Sequence, residues 1–224
     1  MLIAGFPAGA WGTNCYVVAT GQGAECIVVD PGMDATAGVE QVVEENKLKP
    51  VAVLLTHGHI DHMFSVLPVC GTYDATAWIH PDDRHLLADP MAGISPETAR
   101  MLLGGKHEFA EPDDVAELKD GLSLELAGLT FTVDHTPGHT RGSVTFTTPY
   151  DGPEEVPAVL FSGDVLFAGS IGRTDLPGGD SKAILRSIGE KLLVLPEETE
   201  VIPGHGEVTT IGHEREFNPF LAHP

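Results

Sequence analysis

Thr56-His57-Gly58-His59-Ile60-Asp61-His62, directly after the apolar run Val51 to Leu55, is the stretch from which the rest of the chain can be read. Four side chains of metal-ligand type fall between His57 and His62. In an extended segment residues two apart point the same way, so His57, His59 and Asp61 are expected to converge while His62 opens the following helix. A lone histidine pair is more often structural. Imidazoles and a carboxylate packed this densely, however, leave polar groups short of partners unless a cation joins them, and metal binding is the reading this block favours.

Working outward, three later segments repeat the design. Leu129 to Val133 leads to Thr136-Pro137-Gly138-His139, Ala158 to Phe161 leads to Ser162-Gly163-Asp164, and Val201-Ile202 leads to Pro203-Gly204-His205-Gly206. Each candidate ligand follows a strand-like run and sits near a glycine, which allows backbone to approach a buried ion closely. Any one of these is by itself a glycine-rich turn with an incidental polar residue; their recurrence in one chain argues otherwise. Seven ligands exceed what closes a single tetrahedral zinc and suit two ions sharing a carboxylate. Imidazole and carboxylate donors without thiolate are compatible with zinc, iron or manganese.

The remaining apolar runs, Cys15 to Ala19, Cys26 to Val29, Ala77 to Ile79, Leu122 to Leu126 and Val144 to Thr147, are strand-length and bounded by turn residues. Helices are expected over Asp34 to Leu48, Asp61 to Val69, Pro81 to Leu87 and Ser181 to Leu195. The last would bury Ile184, Leu185, Ile188 and Leu192 and turn Lys182, Arg186 and Lys191 to solvent. Many strands with few helices predict a sheet sandwich covered by helices on its outer faces. One domain is expected over residues 1–224, with a mobile insertion at 88–114 and a short capped helix at Ser95 to Leu103 within it.

The formal charge of −21, from 33 acidic and 12 basic residues, argues against a nucleic-acid binder. Cys15, Cys26 and Cys70 form no CxxC pair and are expected as small buried hydrophobes. Met1 to Ala10 is apolar but lacks the basic start of a signal peptide, and no spanning stretch follows, so a cytoplasmic protein without membrane partners is expected.

The HxHxDH block at 57–62, followed in order by His139, Asp164 and His205, resembles the metallo-β-lactamase superfamily over nearly the whole chain. The resemblance implies an α+β fold, a four-layer αββα sandwich. It also implies a first metal on His57, His59 and His139, a second on Asp61, His62 and His205, and Asp164 bridging both. Two divalent ions follow, zinc first, with iron or manganese as the alternatives. Asp61 and Asp164 then stand at the reacting centre, where a water held between ions about 3.5 to 4 Å apart supplies hydroxide near neutral pH.

Within the superfamily, Asp164-Val-Leu-Phe-Ala-Gly-Ser-Ile-Gly-Arg173-Thr-Asp175 and the stretch His213 to Phe220 look like the short glyoxalase II-like hydrolases. The expected substrate is a small-molecule thioester, whose thiolate leaves without a separate protein acid. The helical domain of the longer glyoxalase II enzymes is expected to be absent. Gly172 to Asp175 also replaces their thiol-contacting Lys and Tyr, so the carrier thiol, glutathione or another, stays open. Arg141 and Arg173 are candidates for a substrate carboxylate, although pairing of Arg173 with Asp175 competes. Thr56, Thr140 and Ser143 are candidates to orient ligands, and His80, His85, His107, His135, His213 and His223 are expected to be structural or solvated. Two rival readings are a mononuclear iron persulfide dioxygenase, suggested by Gly172-Arg173-Thr174-Asp175, and a non-enzymatic binding module, disfavoured because all seven ligands are present.

Overall fold

Period-two alternation along the strands sorts apolar side chains into three separate layers, and those layers define the architecture. The computed structural model describes residues 1–95, 109–152 and 156–221. Strands β1 (Leu2–Ala8), β2 (Thr13–Ala19), β3 (Glu25–Val29), β4 (Lys49–Leu54), β5 (Thr76–Ile79) and β6 (Val115–Glu117) form one sheet in that order. Strands β7 (Ser123–Leu126), β8 (Leu129–His135), β9 (Val144–Pro149) and β10 (Ala158–Gly163) continue in a second sheet. After a short hairpin of β11 (Leu166–Phe167) and β12 (Ser170–Ile171), that sheet is completed by β13 (Glu200–Pro203), beside β10, and β14 (Thr209–Thr210).

On β3, Cys26 and Val28 enter an outer layer with helices α1 (Ala35–Asn46) and α3 (Val66–Tyr73). Ile27 and Val29 point the other way, into the layer between the sheets, where they share space with Phe131, Phe146 and Phe161. The second sheet does the same. Phe161 and Ile202 face inward, while Leu160 and Val201 meet Ile184, Ile188 and Leu192 outside. Both sheets are covered on both faces, so their central strands read as unbroken apolar runs. The result is the expected α+β sandwich of helix, sheet, sheet and helix.

Several expectations are corrected in detail. The helix expected over Asp61 to Val69 is two helices, α2 (Ile60–Met63) and α3, broken where the Ser65 hydroxyl donates to the Gly32 carbonyl at 2.7 Å. On α5 (Ser181–Ser187), Ile184 is buried but Leu185 is 42% exposed, and the chain continues through a π-helical turn at Ile188–Leu192. Strands β1, β6, β11, β12 and β14 and helix α6 (Ile211–Phe217) were not expected; each is short or gains its order from neighbouring strands. Residues 96–108 of the expected insertion, with nearly all of the expected Ser95 to Leu103 helix, lie outside the described residues. The three cysteines are buried and free. Among the described residues no helix is long and apolar enough to cross a membrane.

Cross-sheet hydrogen bonds gather at one end of the sandwich. Asn14 N donates to Gly204 O at 2.7 Å, Tyr16 Oη to Pro203 O at 2.8 Å, and Val144 N to Thr56 O at 2.8 Å. The loops after β4, β8, β10 and β13 meet there.

Candidate metal centre

Those four loops carry the seven expected ligands, and the structure brings all seven together. His57 Nε2 lies 3.1 Å from His59 Nδ1, which lies 2.9 Å from His139 Nε2. His62 Nε2 lies 3.2 Å from Asp164 Oδ1, and His205 Nε2 lies 3.1 Å from Asp61 Oδ2. Asp164 stands between the two sets, with its other oxygen 3.6 Å from His139 Nε2 and 3.8 Å from His205 Nε2. Three overlapping groups have the spacing of metal ligands: His57/His59/His139, His57/His62/Asp164 and Asp61/His62/His205. One local expectation is revised. Helix α2 already begins at Ile60, so Asp61 leaves the extended segment and its carboxylate turns towards His205 and His62, away from the His57/His59 pair.

Hydrogen bonding fixes which ring nitrogens carry protons. Thr56 Oγ1 donates to Asp30 Oδ2 at 2.6 Å and therefore accepts from His57 Nδ1 at 3.1 Å. His62 Nδ1 donates to Asp30 Oδ2 at 3.0 Å, and His139 Nδ1 to the Arg173 carbonyl at 2.8 Å. In the neutral forms of His57, His62 and His139, the forms that bind a metal, the lone pair is thus left on Nε2, the atom that faces the centre. Lone pairs crowded in this way repel one another unless a cation lies among them. Consistent with that, His62 Nε2 and Asp164 Oδ1 are buried without a hydrogen-bond partner, so the donor set fits divalent metal ions.

The electrostatics separate the two ends of the cluster. Burial, then the neighbouring imidazoles, push His57 well below the usual histidine pKa, and the same causes bring His59 down to about 3. Burial opposes charge on His62 and His205 too, but Asp164 and Asp61 outweigh it, and both are raised. Burial would also raise Asp61 and Asp164, yet His62 and its neighbours hold both carboxyls below their ordinary range.

A cavity of about 350 Å³ opens over the cluster, walled by Trp11, Ile60, Ile94 and Leu176. Arg173 also lines it, but its guanidinium is engaged by Asp175 through two 2.7 Å bonds. Arg141 lines a neighbouring cavity of about 250 Å³ instead. Of the candidate orienting residues, Thr56 touches His57, whereas Thr140 and Ser143 bond to each other and not to a ligand.

Asp30 escaped the sequence reading, although Asp30-Pro31-Gly32 follows β3 just as the ligand segments follow their strands. It is buried in the left-handed region, at φ 47°, and also accepts the Thr56 N–H at 2.8 Å. Asp83 was missed as well, and an acidic pair opening a helix offers no signal for it. His80 and His135, which were expected to be structural or solvated, stack with centroids 4.1 Å apart near Asp82. Their planes are 10° from parallel, so their in-plane lone pairs do not converge on one point.

The model of the metallo-beta-lactamase superfamily matches residues 8–205. The chain belongs to this superfamily. Its members are generally hydrolases with metal sites, and the fold implies divalent metal binding. An uncharacterized protein of Mycobacterium leprae is 52% identical, with 99% of each chain covered. Hydroxyacylglutathione hydrolase GloC of Haemophilus influenzae is 35% identical over 96% of this chain and 95% of its own. Among solved structures, BLEG-1 B3 metallo-beta-lactamase is 42% identical at a TM-score of 0.84, covering 99% of this chain and 100% of its own. TTHA1623 in a di-iron-bound form is 39% identical at a TM-score of 0.77, with the same coverage.

Proposed function

We propose that this superfamily member is a dinuclear hydrolase of small-molecule thioesters, with His57, His59 and His139 on one ion, Asp61, His62 and His205 on the other, and Asp164 shared. The observation that carries the thioester reading is the lining of the cavity. Apart from the proposed ligands, its titratable side chain among the described residues is Arg173, already engaged by Asp175. Among the described residues no other lining side chain is suited to protonate a leaving group, which favours a group that is stable as an anion. A thiolate is, with an ordinary pKa of about 8.5. The likeness to the GloC enzyme supports the same choice.

When bound, the two ions would lower the pKa of a water and polarise the substrate carbonyl. The chain's own part is to hold Asp61 and Asp164 ionised, to keep the Nε2 lone pairs of His57, His62 and His139 inward, and to exclude solvent with Trp11, Ile60, Ile94 and Leu176. In the reaction the water oxygen bonds to the acyl carbon, and the C–S bond breaks with its electron pair leaving on sulfur. Of the two water protons, one ends on the expelled sulfur and the other is lost from the new carboxyl group near neutral pH; the products are a carboxylate, a thiol and a proton. Zinc is the proposed metal, and the likeness to a di-iron protein makes iron the alternative. The likeness to BLEG-1 favours a second reading, β-lactam hydrolysis at the same centre.

The test measures metal content of the purified protein alongside hydrolysis of S-lactoylglutathione, the lactoyl ester of a second thiol, and a cephalosporin, with persulfide-dependent oxygen uptake in parallel. Close to two ions per chain with thioester turnover supports the proposal. Turnover of the cephalosporin alone selects the second reading, and one iron with oxygen uptake overturns both.

A further inference from the structure

We propose that Asp83 is a positioning residue for the His57/His59/His139 group, locking together the two loops that carry it. This rests on the metal reading above. Asp83 lies on α4 (Pro81–Arg84), outside the ligand set, and is 2% exposed. Its Oδ2 accepts the Gly58 N–H at 2.9 Å, between His57 and His59, and the Thr140 hydroxyl at 2.6 Å, next to His139. Its Oδ1 accepts the Gly142 N–H at 2.8 Å. One carboxylate therefore holds a backbone amide of the first loop and two groups of the second.

Three features indicate that this contact sets geometry. First, a carboxylate buried without a cation is costly, and Asp83 is tolerated because its donors converge on it from both loops. Second, the loops leave room for it: a Cβ at Gly142 would come within 2.6 Å of the Asp83 carboxyl carbon, and one at Gly58 within 2.7 Å of Leu86. Third, the hydroxyl of Thr140 is itself oriented. Because Thr140 Oγ1 donates to Asp83, it accepts from Ser143 Oγ at 2.7 Å, while Ser143 Oγ accepts the Thr140 N–H at 3.0 Å. Thr140 and Ser143, expected to orient ligands, thus act through Asp83. No comparable bond from Asp83 reaches Asp61, His62 or His205 among the described residues, so its removal should affect one metal and spare the other.

The experiment measures stepwise Zn²⁺ affinity of the full chain by chelator competition, together with the visible spectrum of the Co²⁺-loaded protein. In Asp83→Asn the amide NH₂ must oppose at least one of the three donors. The tri-histidine ion should weaken by about 10-fold or more while the second is retained, with an altered Co²⁺ spectrum for that ion alone. Thr140→Val, which removes one of the three bonds to Asp83 and keeps the carboxylate, should weaken the same ion less, and Thr140→Ser should restore it. If Asp83→Asn does not fold, the Thr140 pair decides. Unchanged affinities in folded Asp83→Asn, equal weakening of both ions, or no difference between Thr140→Val and Thr140→Ser would overturn the inference and leave the metal reading standing. Wild-type protein that binds no ion would overturn both.

Discussion

Asp30→Asn is nearly isosteric, and the structure sets what it should cost. Asp30 receives three donors: Thr56 N–H on Oδ1, and Thr56 Oγ1–H and His62 Nδ1–H on Oδ2. An asparagine tolerates the left-handed backbone at φ 47°, so strain contributes little. The amide has one oxygen, however. With that oxygen in the Oδ2 place, its NH₂ opposes the buried Thr56 N–H, and the unsatisfied donor costs about 1–3 kcal/mol. With the amide turned over, NH₂ faces His62 Nδ1, which must become the acceptor; its proton then sits on Nε2 and removes the lone pair aimed at the metal. The first outcome lowers stability by about 2 kcal/mol, a fall of about 4–8 °C in Tm for a protein of this size. The second weakens metal binding by about 10- to 100-fold. Thermal melting of the metal-free variant and chelator competition on the loaded one separate the two. A variant with wild-type Tm and wild-type metal affinity would show that the Asp30 carboxylate neither satisfies Thr56 nor fixes the His62 tautomer.

His59→Ala should abolish hydrolysis while far-UV circular dichroism stays that of the wild type, since the ring contacts it loses are to the other proposed ligands His57 and His139; retention of most activity would sink the site assignment. Protons and cations compete for the same imidazole nitrogens, so ligands with raised pKa release metal at higher pH. With His62 and His205 raised and His59 lowered to about 3, acidification should free the Asp61/His62/His205 ion first and the tri-histidine ion at lower pH. Metal analysis after dialysis at stepped pH checks this, and release in the opposite order refutes it. Gly138→Ala places a Cβ against the Ile184 backbone at φ 141°. It should lower stability by about 3 kcal/mol or more, read by urea unfolding; a near-neutral result would mean that the loop before His139 yields freely.

The candidate ligands were legible in the sequence because each follows a strand-like apolar run beside a glycine, a local pattern that needs no knowledge of the partner loops. The sandwich was legible for a similar reason, since strands buried on both faces read as continuous apolar runs closed by turn residues. What stayed hidden depends on contacts made across the sheets. Strand β6 is three residues long and is ordered by β5, and Leu185 is apolar in sequence yet faces solvent because its helix rests on Ile184 and Ile188. Asp61 and His59 are two residues apart, yet the start of α2 at Ile60 sends them to different groups. Asp30 and Asp83 lie far along the chain from the segments they hold, and only folding shows that their oxygens receive the amides and hydroxyls of the ligand loops. A sequence exposes donor atoms and local periodicity; which lone pair faces a metal is decided by hydrogen bonds that form only when distant segments meet.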